Sequence, residues 1–312
     1  MRSGIIPPGK QNRLAIEQRV CLQKCHTWYN NETNGTNGTN GTNVNNVNKL
    51  NFHQRDKFLA FDEKSHTYKT DRCPYFKSVT SLISSLFGKF DSDKVIKKMM
   101  DSPKWPRSEY FGMTAAQIKR RWSESGFKSR TAGTSMHEQI EKYFVEDEME
   151  MDDDDVALKQ FLDWDETKQL EIYRTEWRVF DDDLKLAGTI DAVFRKPNGK
   201  FVLVDWKRCK EIRLNNKFDK AKDERISHLP DCNFVKYSIQ LNIYARILEV
   251  YGIDVEECYI VNFHPNQATW KQLKALNLKS EVDKLLPRTV PTPVPTNPTR
   301  FPKGLDDMTP IK

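Results

Sequence analysis

The segment from Leu186 to Lys207 constrains the fold of this 312-residue chain more than any other, because its pattern predicts a β-hairpin. Two apolar runs rich in β-branched residues flank a short polar loop. Within that loop, Pro197 suits the first central position of a type I turn, and Gly199 suits the left-handed residue of a three-residue loop with a bulge. We therefore expect Lys196 to pair with Lys200.

Counting back from that pair places Asp191 directly across from Asp205. Side chains alternate along a strand, so Asp205 and Lys207 share a face of the sheet, Asp191 joins them, and Trp206 points to the opposite face. The hairpin thus predicts two facing carboxylates with a lysine beside them. Two carboxylates this close are favourable together mainly when a cation lies between them.

An isolated Asp-x-Lys in a strand is usually a solvated charge pair, and that interpretation is the alternative here. In this chain, however, the charges follow directly on the apolar run 201–204, which is typical of a strand buried on both faces. Buried charges cost several kcal/mol unless they are paired or bound to metal. The hairpin is therefore a candidate site.

The hairpin resembles the core signature of the PD-(D/E)XK nucleases, and the flanking motifs resemble the RecB-like branch of that superfamily. Four elements occur in the order typical of the branch, over roughly residues 65 to 262: Gly133-Thr134-Ser135-Met136-His137, Gly188-Thr189-Ile190-Asp191, Val204-Asp205-Trp206-Lys207 and Gln240-Leu241-Asn242-Ile243-Tyr244. The resemblance extends to viral and phage exonucleases and to a mitochondrial genome-maintenance exonuclease.

The resemblance implies an α/β (α+β) fold with a restriction-endonuclease-like core, in which helices flank a mixed central β-sheet that carries the catalytic hairpin. It also implies that Asp191, Asp205, His137 and the backbone carbonyl of Trp206 hold Mg²⁺ or Mn²⁺. Oxygen-rich ligation with one imidazole suits these ions better than zinc.

The resemblance assigns the remaining roles around the hairpin. Lys207 would orient or help deprotonate a water and stabilise the developing charge. Gln240 and Tyr244, one helical turn apart, would position Lys207 or a phosphate. The products would carry a 5′-phosphate and a 3′-hydroxyl. Glu176 matches an acid often found on the strand before the hairpin and is expected to be accessory.

The expected activity is therefore metal-dependent hydrolysis of DNA, by an exonuclease acting in replication, repair or recombination. Two alternatives stay open: a non-catalytic nucleic-acid-binding module of the same fold, and an RNA-directed endonuclease. Strandedness, end polarity and the choice between endonuclease and exonuclease action are not predicted by the sequence.

Charge is unevenly distributed along the chain, although the net charge is only +6. Residues 89–130 are strongly basic, with eleven lysines and arginines against five acids, whereas residues 146–183 are strongly acidic. A basic segment beside an acidic one favours binding of a polyanion at a defined place on the surface. Single-stranded DNA or duplex ends would be such a ligand. Two ordinary solvated faces are the alternative interpretation.

The six cysteines show no regular spacing, so reduced thiols are expected. No tight cysteine trio follows Lys207, and we expect no iron–sulfur cluster. The sequence contains no run of 18 apolar residues and no secretory apolar core, which predicts an intracellular protein without a membrane partner. Nuclear, cytoplasmic and mitochondrial locations, or a host-cell interior for a viral protein, are not distinguished.

Three segments are predicted along the chain: a disordered Asn/Gly/Thr-rich segment over residues 1–50, a nuclease domain over 51–286 and a Pro-rich tail over 287–312. Helices are expected over 91–100, from Thr114 to Ser125, over 156–164 and over 234–250. A separate helix is expected to begin at Ser135, because Ser135 and Glu138 form a capping-box pattern. His137 would then lie in a first turn, where the helix dipole keeps its ring neutral.

Overall fold

A computed structural model describes residues 46–288 of the chain. The predicted low-complexity segment up to residue 45 and the Pro-rich tail from residue 289 onward lie outside the described residues. The described chain begins with a helical turn, α1 (Val47–Leu50), capped by the side chain of Asn46. Residues 47–50, which belong to the segment predicted to be disordered, are therefore helical.

The helices and strands of residues 46–288 form a mixed α/β arrangement. The strands are β1 (Ala60–Asp62), β2 (Thr67–Lys69), β3 (Lys77–Ser78), β4 (Glu171–Asp181), β5 (Leu186–Arg195), β6 (Phe201–Lys207), β7 (Val255–Asn262) and β8 (Lys271–Lys274). The longer helices are α2 (Val79–Leu86), α3 (Ser92–Met100), α4 (Ala115–Glu146), α5 (Val156–Lys168), α6 (Asn233–Leu248) and α7 (Lys279–Leu285).

The predicted hairpin and its register are confirmed in strands β5 and β6. Ala192 pairs with Val204 and Arg195 pairs with Phe201, which is the register counted from the loop. Gly199 has a φ of 80°, the left-handed conformation predicted for it. A local Pro-Asn-Gly signal thus sets the pairing of two strands in the centre of the sheet.

Six strands form the central sheet, which mixes parallel and antiparallel pairs, as predicted. β5 pairs antiparallel with β4 and β6, and parallel with β3, while β6 pairs parallel with β7 and β7 antiparallel with β8. β4 covers one edge of β5 from Leu186 to Arg195. β3 and β6 must therefore share the other edge, where β3 pairs at residues 186–187 and β6 at 192–195.

Sharing that edge opens a fork between β3 and β6. The residues of β5 that lie in the fork run from Gly188 to Asp191 and pair with neither β3 nor β6. Helix α2 follows β3 directly, with Ser78 as its N-cap. Side chains from other elements can therefore approach β5 at this point of the sheet.

Helices pack on both faces of the sheet. On one face, α2, α6 and α7 cover a core that includes Leu203, Ile239 and Ile243. On the other face, α4 and α5 cover an aromatic core in which the Trp206 ring contacts Trp164 at a centroid distance of 5.0 Å. Trp206 is 1% exposed, so it points away from Lys207 as predicted.

Helix α4 corrects the prediction of two separate helices in this region. It runs without a break over 32 residues from an N-cap at Thr114, where Thr114 and Gln117 form the capping box. Ser135 and His137 therefore lie in the interior of the helix, and the Ser135–Glu138 pattern does not start one. Packing of Met136, Ile140 and Phe144 against the aromatic core holds this part of the helix in place.

The sequence also led to expectations about the cysteines and about membrane-spanning helices, and residues 46–288 bear on both. Cys73, Cys209, Cys232 and Cys258 are free thiols, and Cys21 and Cys25 lie outside the described residues. None of the helices in this part of the chain combines the length and the apolar character that crossing a bilayer requires.

Candidate functional site

Asp191 lies where β5 and β6 separate. The last pair of their ladder is Ala192 with Val204, and just beyond it the Trp206 backbone N–H donates to Asp191 Oδ2 at 2.8 Å. The Asp191 carboxylate thus accepts from a backbone N–H that has no partner in the ladder between β5 and β6. This hydrogen bond fixes the Asp191 side chain inside the fork.

The strict alternation used to place Asp191 is broken next to it, which corrects the sequence prediction. Ile190 and Val193 both pack in the core on the α6 side, whereas Ala192 packs on the α4 side. Two residues rather than one therefore separate consecutive positions on the same face. The sequence predicted that Asp191 and Asp205 lie side by side on one face of the sheet. In the structure the strands separate at Asp191, and its side chain points into the fork.

Three side chains meet at the fork from three different elements. His137 of α4 places Nδ1 at 3.3 Å from Glu176 Oε1 and at 3.9 Å from Asp191 Oδ1. One potential ligand atom from each of these residues lies within 4.8 Å of the other two, so the group could hold a metal ion. The second ring nitrogen of His137, Nε2, lies 3.2 Å from the Trp206 carbonyl oxygen.

Glu176 occupies a strained backbone position in β4. Its φ of 45° is unusual for a residue without the freedom of glycine, particularly within a strand. Such conformations cost about 1–3 kcal/mol and persist only where the surroundings impose them, often at functional sites. Glu176 is therefore a more central member of the site than the accessory acid that the sequence predicted.

The charge state of His137 differs from the prediction. Burial of the ring would lower the pKa of His137, but the nearby carboxylates of Asp191 and Glu176 outweigh burial and raise this pKa to about 9. The imidazolium can then donate from Nδ1 to Glu176 and from Nε2 to Trp206. The helix dipole has no part in this, since His137 lies far from the N-terminus of α4.

Asp205 and Lys207 form a buried ion pair beside the fork. Lys207 Nζ lies 2.6 Å from Asp205 Oδ2, and the Gln240 side-chain amide donates to Asp205 Oδ1 at 3.2 Å. Burial raises the pKa of Asp205 to about 6, and the charge of Asp191 adds to that rise while Lys207 opposes it. Asp191 and Asp205 are thus close enough for one charge to affect the other.

Lys207 holds its proton firmly in this arrangement. Burial would lower its pKa, but Asp205 and Asp191 raise it above the ordinary value. Its ammonium also lies 4.8 Å over the ring of Tyr237 on α6. Of the two roles predicted for Lys207, stabilisation of negative charge fits a permanent cation better than removal of a proton does.

Tyr244, one turn after Gln240 on α6, packs onto the backbone of β5 at Gly188. A Cβ atom built on Gly188 would lie 2.7 Å from Tyr244 Oη and 2.8 Å from Cε1. Burial raises the pKa of Tyr244 well above its usual value, so the hydroxyl stays protonated. Gln240 therefore contacts Asp205, whereas Tyr244 lines the fork beside Gly188.

A cleft of about 660 Å³ adjoins the fork. Its wall includes groups from the sheet, from α2, α4 and α6 and from the β1–β2 ribbon: Tyr68, Ser78, Thr80, Glu141, Arg174, Glu176, Arg178, Thr189, Asp191, Gln240 and Tyr244. A ligand of the size of a nucleotide can therefore reach Asp191 and Glu176 from solvent.

The structure brings every residue of the predicted site to this one region: His137, Asp191, Asp205, Trp206, Lys207, Gln240 and Tyr244. Sequence reasoning undervalued Glu176 and gave no role to Gly188. Counting along the β4–β5 register places Glu176 opposite Asp191, but that register includes a shift between Ile172 and Arg174 that no local signal announces. The contact between Gly188 and Tyr244 joins residues 56 positions apart and leaves no local pattern.

Comparison with known proteins shows only a weak structural similarity. No family model matches the chain. No curated protein matches it either. A solved structure described as the crystal structure of SSO0001 aligns with 67% of this chain and 74% of its own, at 14% sequence identity and a TM-score of 0.27. A likeness this weak supports no argument, so what the site can do follows from its own residues and geometry.

Proposed function

We propose that this protein is a metal-dependent nuclease that hydrolyses the phosphodiester bonds of DNA, with a restriction-endonuclease-like core of the RecB-like PD-(D/E)XK type. The observation that carries the proposal is the convergence of His137, Glu176 and Asp191 at the fork, next to the buried pair of Asp205 and Lys207. These residues come from one helix and three adjacent strands. An exonuclease acting in replication, repair or recombination is the proposed biological role.

The donor set fits a hard divalent cation. Two carboxylates and one imidazole offer mostly oxygen ligands, which Mg²⁺ and Mn²⁺ prefer. The raised pKa values of Asp205, to about 6, and of Asp191 indicate that buried negative charge lacks full compensation here. His137, Glu176 and Asp191 would hold the ion, with Asp205 and the Trp206 carbonyl as further candidates.

Each residue then has a defined task in phosphodiester hydrolysis. A bound Mg²⁺ or Mn²⁺ would supply Lewis acidity toward the scissile phosphate. Lys207 provides a fixed positive charge that stabilises the charge developing on the phosphate in the transition state. Gln240 fixes the orientation of Asp205 through its amide hydrogen bond. Tyr244 closes the fork over Gly188 and shapes the wall of the cleft.

The test is to incubate the protein with labelled single-stranded DNA, duplex DNA and RNA, with Mg²⁺, with Mn²⁺ and with EDTA. We expect DNA cleavage that requires a divalent ion, is lost in Asp191→Asn and is retained in Glu138→Gln. Glu138 is exposed on α4 beside His137 and is a matched control for removal of one negative charge.

Two outcomes would overturn this proposal in favour of the alternatives. Binding of DNA without cleavage in either metal would indicate a binding module. Cleavage of RNA with no cleavage of DNA would indicate an RNA-directed nuclease.

A further inference from the structure

A helical arm, defined as residues 89–130, exposes large aromatic side chains. It comprises α3, the following loop and the first half of α4. Phe90 is 72% exposed, Phe111 is 58% exposed and Phe127 is 65% exposed. Isolated exposed apolar residues need no explanation, but several aromatic rings on one arm mark a surface with a function.

Three aromatic rings of the arm, those of Phe90, Trp122 and Tyr110, contact one another in a row. The Phe90 ring lies 5.9 Å from that of Trp122, and the Trp122 ring lies 6.0 Å from that of Tyr110. The Arg121 guanidinium lies 5.3 Å over the Tyr110 ring. Phe90 thus packs against Trp122 and still exposes most of its surface to solvent.

Positive charge surrounds these rings. The arm carries eleven lysines and arginines and five acidic residues. Three of those acids already pair within the arm, Asp93 with Lys119, Glu109 with Arg121 and Glu124 with Arg120. Eight cations form no ion pair with another residue of the range 46–288: Lys89, Lys94, Lys97, Lys98, Lys104, Arg107, Lys128 and Arg130. The surplus favours a polyanion over an apolar protein partner.

The continuity of α4 links the arm to the candidate site. Trp122 precedes His137 by 15 residues, which is about 22 Å along an α-helix. Arg130 precedes His137 by seven residues, about two turns, and so faces nearly the same side. A strand with one phosphate at the fork could therefore run along α4, pass Arg130 and reach the aromatic rings.

We propose that the helical arm binds an unpaired DNA strand. The bases of this strand stack on Phe90 and Phe127, and its phosphates contact Arg130 and the lysines of the arm. This inference rests on the proposed function, because it extends the path of the substrate away from the cleft. Paired bases bury their faces in the duplex and cannot stack on side chains, whereas unpaired bases can. Exposed rings among cations therefore select single-stranded over duplex DNA.

The experiment compares the wild-type protein with the double variant Phe90→Ala/Phe127→Ala and with the control Tyr75→Ala. Tyr75 is 62% exposed and lies outside the arm. Binding to a fluorescent 20-nucleotide oligothymidylate, its 20-base-pair duplex and the matching oligouridylate is measured by anisotropy in EDTA. We expect the double variant to bind the single DNA strand at least about tenfold more weakly and to bind the duplex within twofold of wild type. The control should bind like wild type.

Several outcomes would overturn the inference. They are unchanged single-strand binding by the double variant, equal losses for single strand and duplex, and tighter binding of the RNA oligomer by the wild-type protein. Thermal melting of the double variant shows that it is folded, as expected from the exposure of both rings. Cleavage by the wild-type protein in Mg²⁺ is a separate readout: its absence would remove the proposed function, whereas a ring-dependent preference in EDTA would still support the arm.

Discussion

The backbone N–H of Trp206 donates to Asp191 Oδ2 at 2.8 Å, just where the ladder between their strands ends. This contact ties the opening of the sheet to the position of a buried carboxylate. Because β3 and β6 occupy the same edge of β5, the sheet has a gap between these two strands. Asp191 fills it and is thereby held near His137 and Glu176.

Divalent metal should stabilise the protein through this cluster. We expect saturating Mg²⁺ or Mn²⁺, at a hundredfold excess over the dissociation constant, to raise the melting temperature by roughly 5–10 °C. Asp191→Asn keeps an oxygen that can accept from Trp206 but loses the charge, so it should lose this gain. Glu138→Gln should keep it. Differential scanning fluorimetry measures the shift, and an equal gain in all three proteins would place the metal elsewhere.

Metal affinity should also increase with pH. In the metal-free protein the pKa of His137 is raised to about 9, so its ring carries a proton at neutral pH that a metal must displace. Below pH 9 the apparent affinity should therefore fall by up to about tenfold per pH unit. Isothermal titration with Mn²⁺ between pH 6.5 and 8.5 measures this slope, and His137→Gln should flatten it. A slope that is equal in wild type and variant would exclude His137 as the displaced acid.

Lys207→Ala should separate catalysis from binding. We expect cleavage to fall at least about a hundredfold, because in the proposed mechanism one fixed cation stabilises the reacting phosphate. Binding depends on many phosphate contacts and should weaken only a few-fold. Lys210→Ala removes an exposed lysine three residues later and is the matched control. Rates in Mg²⁺ and dissociation constants in Ca²⁺ are compared, and equal losses in both would reduce Lys207 to a phosphate contact.

Gly188→Ala should displace Tyr244. The added Cβ would lie 2.7 Å from Tyr244 Oη, too close for an unchanged ring position. We expect a loss of roughly 1–3 kcal/mol in the free energy of unfolding. In a Tyr244→Ala background the same change should cost little, so a double-mutant cycle isolates the contact. Additive effects in that cycle would show that the clash is relieved elsewhere.

The sequence predicted the hairpin well because its information is local. Pro197 and Gly199 specify the loop, and counting from the loop gives the register of β5 and β6 without any tertiary knowledge. The break in alternation beside Asp191 was not predictable in the same way. It arises because β3 and β6 compete for one edge of β5, and no residue near Asp191 encodes the position of β3.

The same contrast explains His137 and Glu176. The motif predicted that His137 lies near Asp191, and the two side chains are 3.9 Å apart. It did not predict that His137 lies inside a long helix. Ser135 and Glu138 form a capping pattern in the sequence, but packing of Met136 and Ile140 keeps this stretch helical. Glu176 has a positive φ that its neighbours in sequence do not require. Its side chain contacts His137, 39 residues away. Long-range contacts of this kind leave no periodic signal.

His53 should make the protein sensitive to mild acid. Its Nδ1 accepts from the Arg55 backbone N–H, capping a short 3₁₀ helix, Gln54–Phe58. Burial lowers the pKa of His53 to about 4; Arg55 adds to the effect and Asp56 opposes it. Above pH 6.5 the ring is neutral in both folded and unfolded chains, so no stability is lost. Between pH 6.5 and 4 only the unfolded chain gains the proton, so stability falls as pH falls.

We expect this residue to contribute roughly 1–3 kcal/mol to the loss in unfolding free energy between pH 7 and pH 4. Asn is a good N-cap that does not titrate, so His53→Asn should lose less stability over this range. Urea denaturation at several pH values gives the difference between the two proteins. Parallel pH profiles would show that His53 does not carry the effect.

Ser135→Ala tests whether α4 is continuous through the candidate site. If Ser135 capped a separate helix, removal of its hydroxyl would cost about 1 kcal/mol. In the structure Ser135 is an exposed interior position of a 32-residue helix, and alanine there should instead stabilise the protein by a few tenths of a kcal/mol up to about 0.5 kcal/mol. Thr114→Ala is the matched control, because Thr114 accepts from the Gln117 backbone N–H at 3.3 Å as the true N-cap and should cost about 1 kcal/mol. Urea denaturation of both variants gives the two signs. A loss in Ser135→Ala as large as that in Thr114→Ala would mean that the helix is interrupted before His137, and the arm would no longer be rigidly joined to the site.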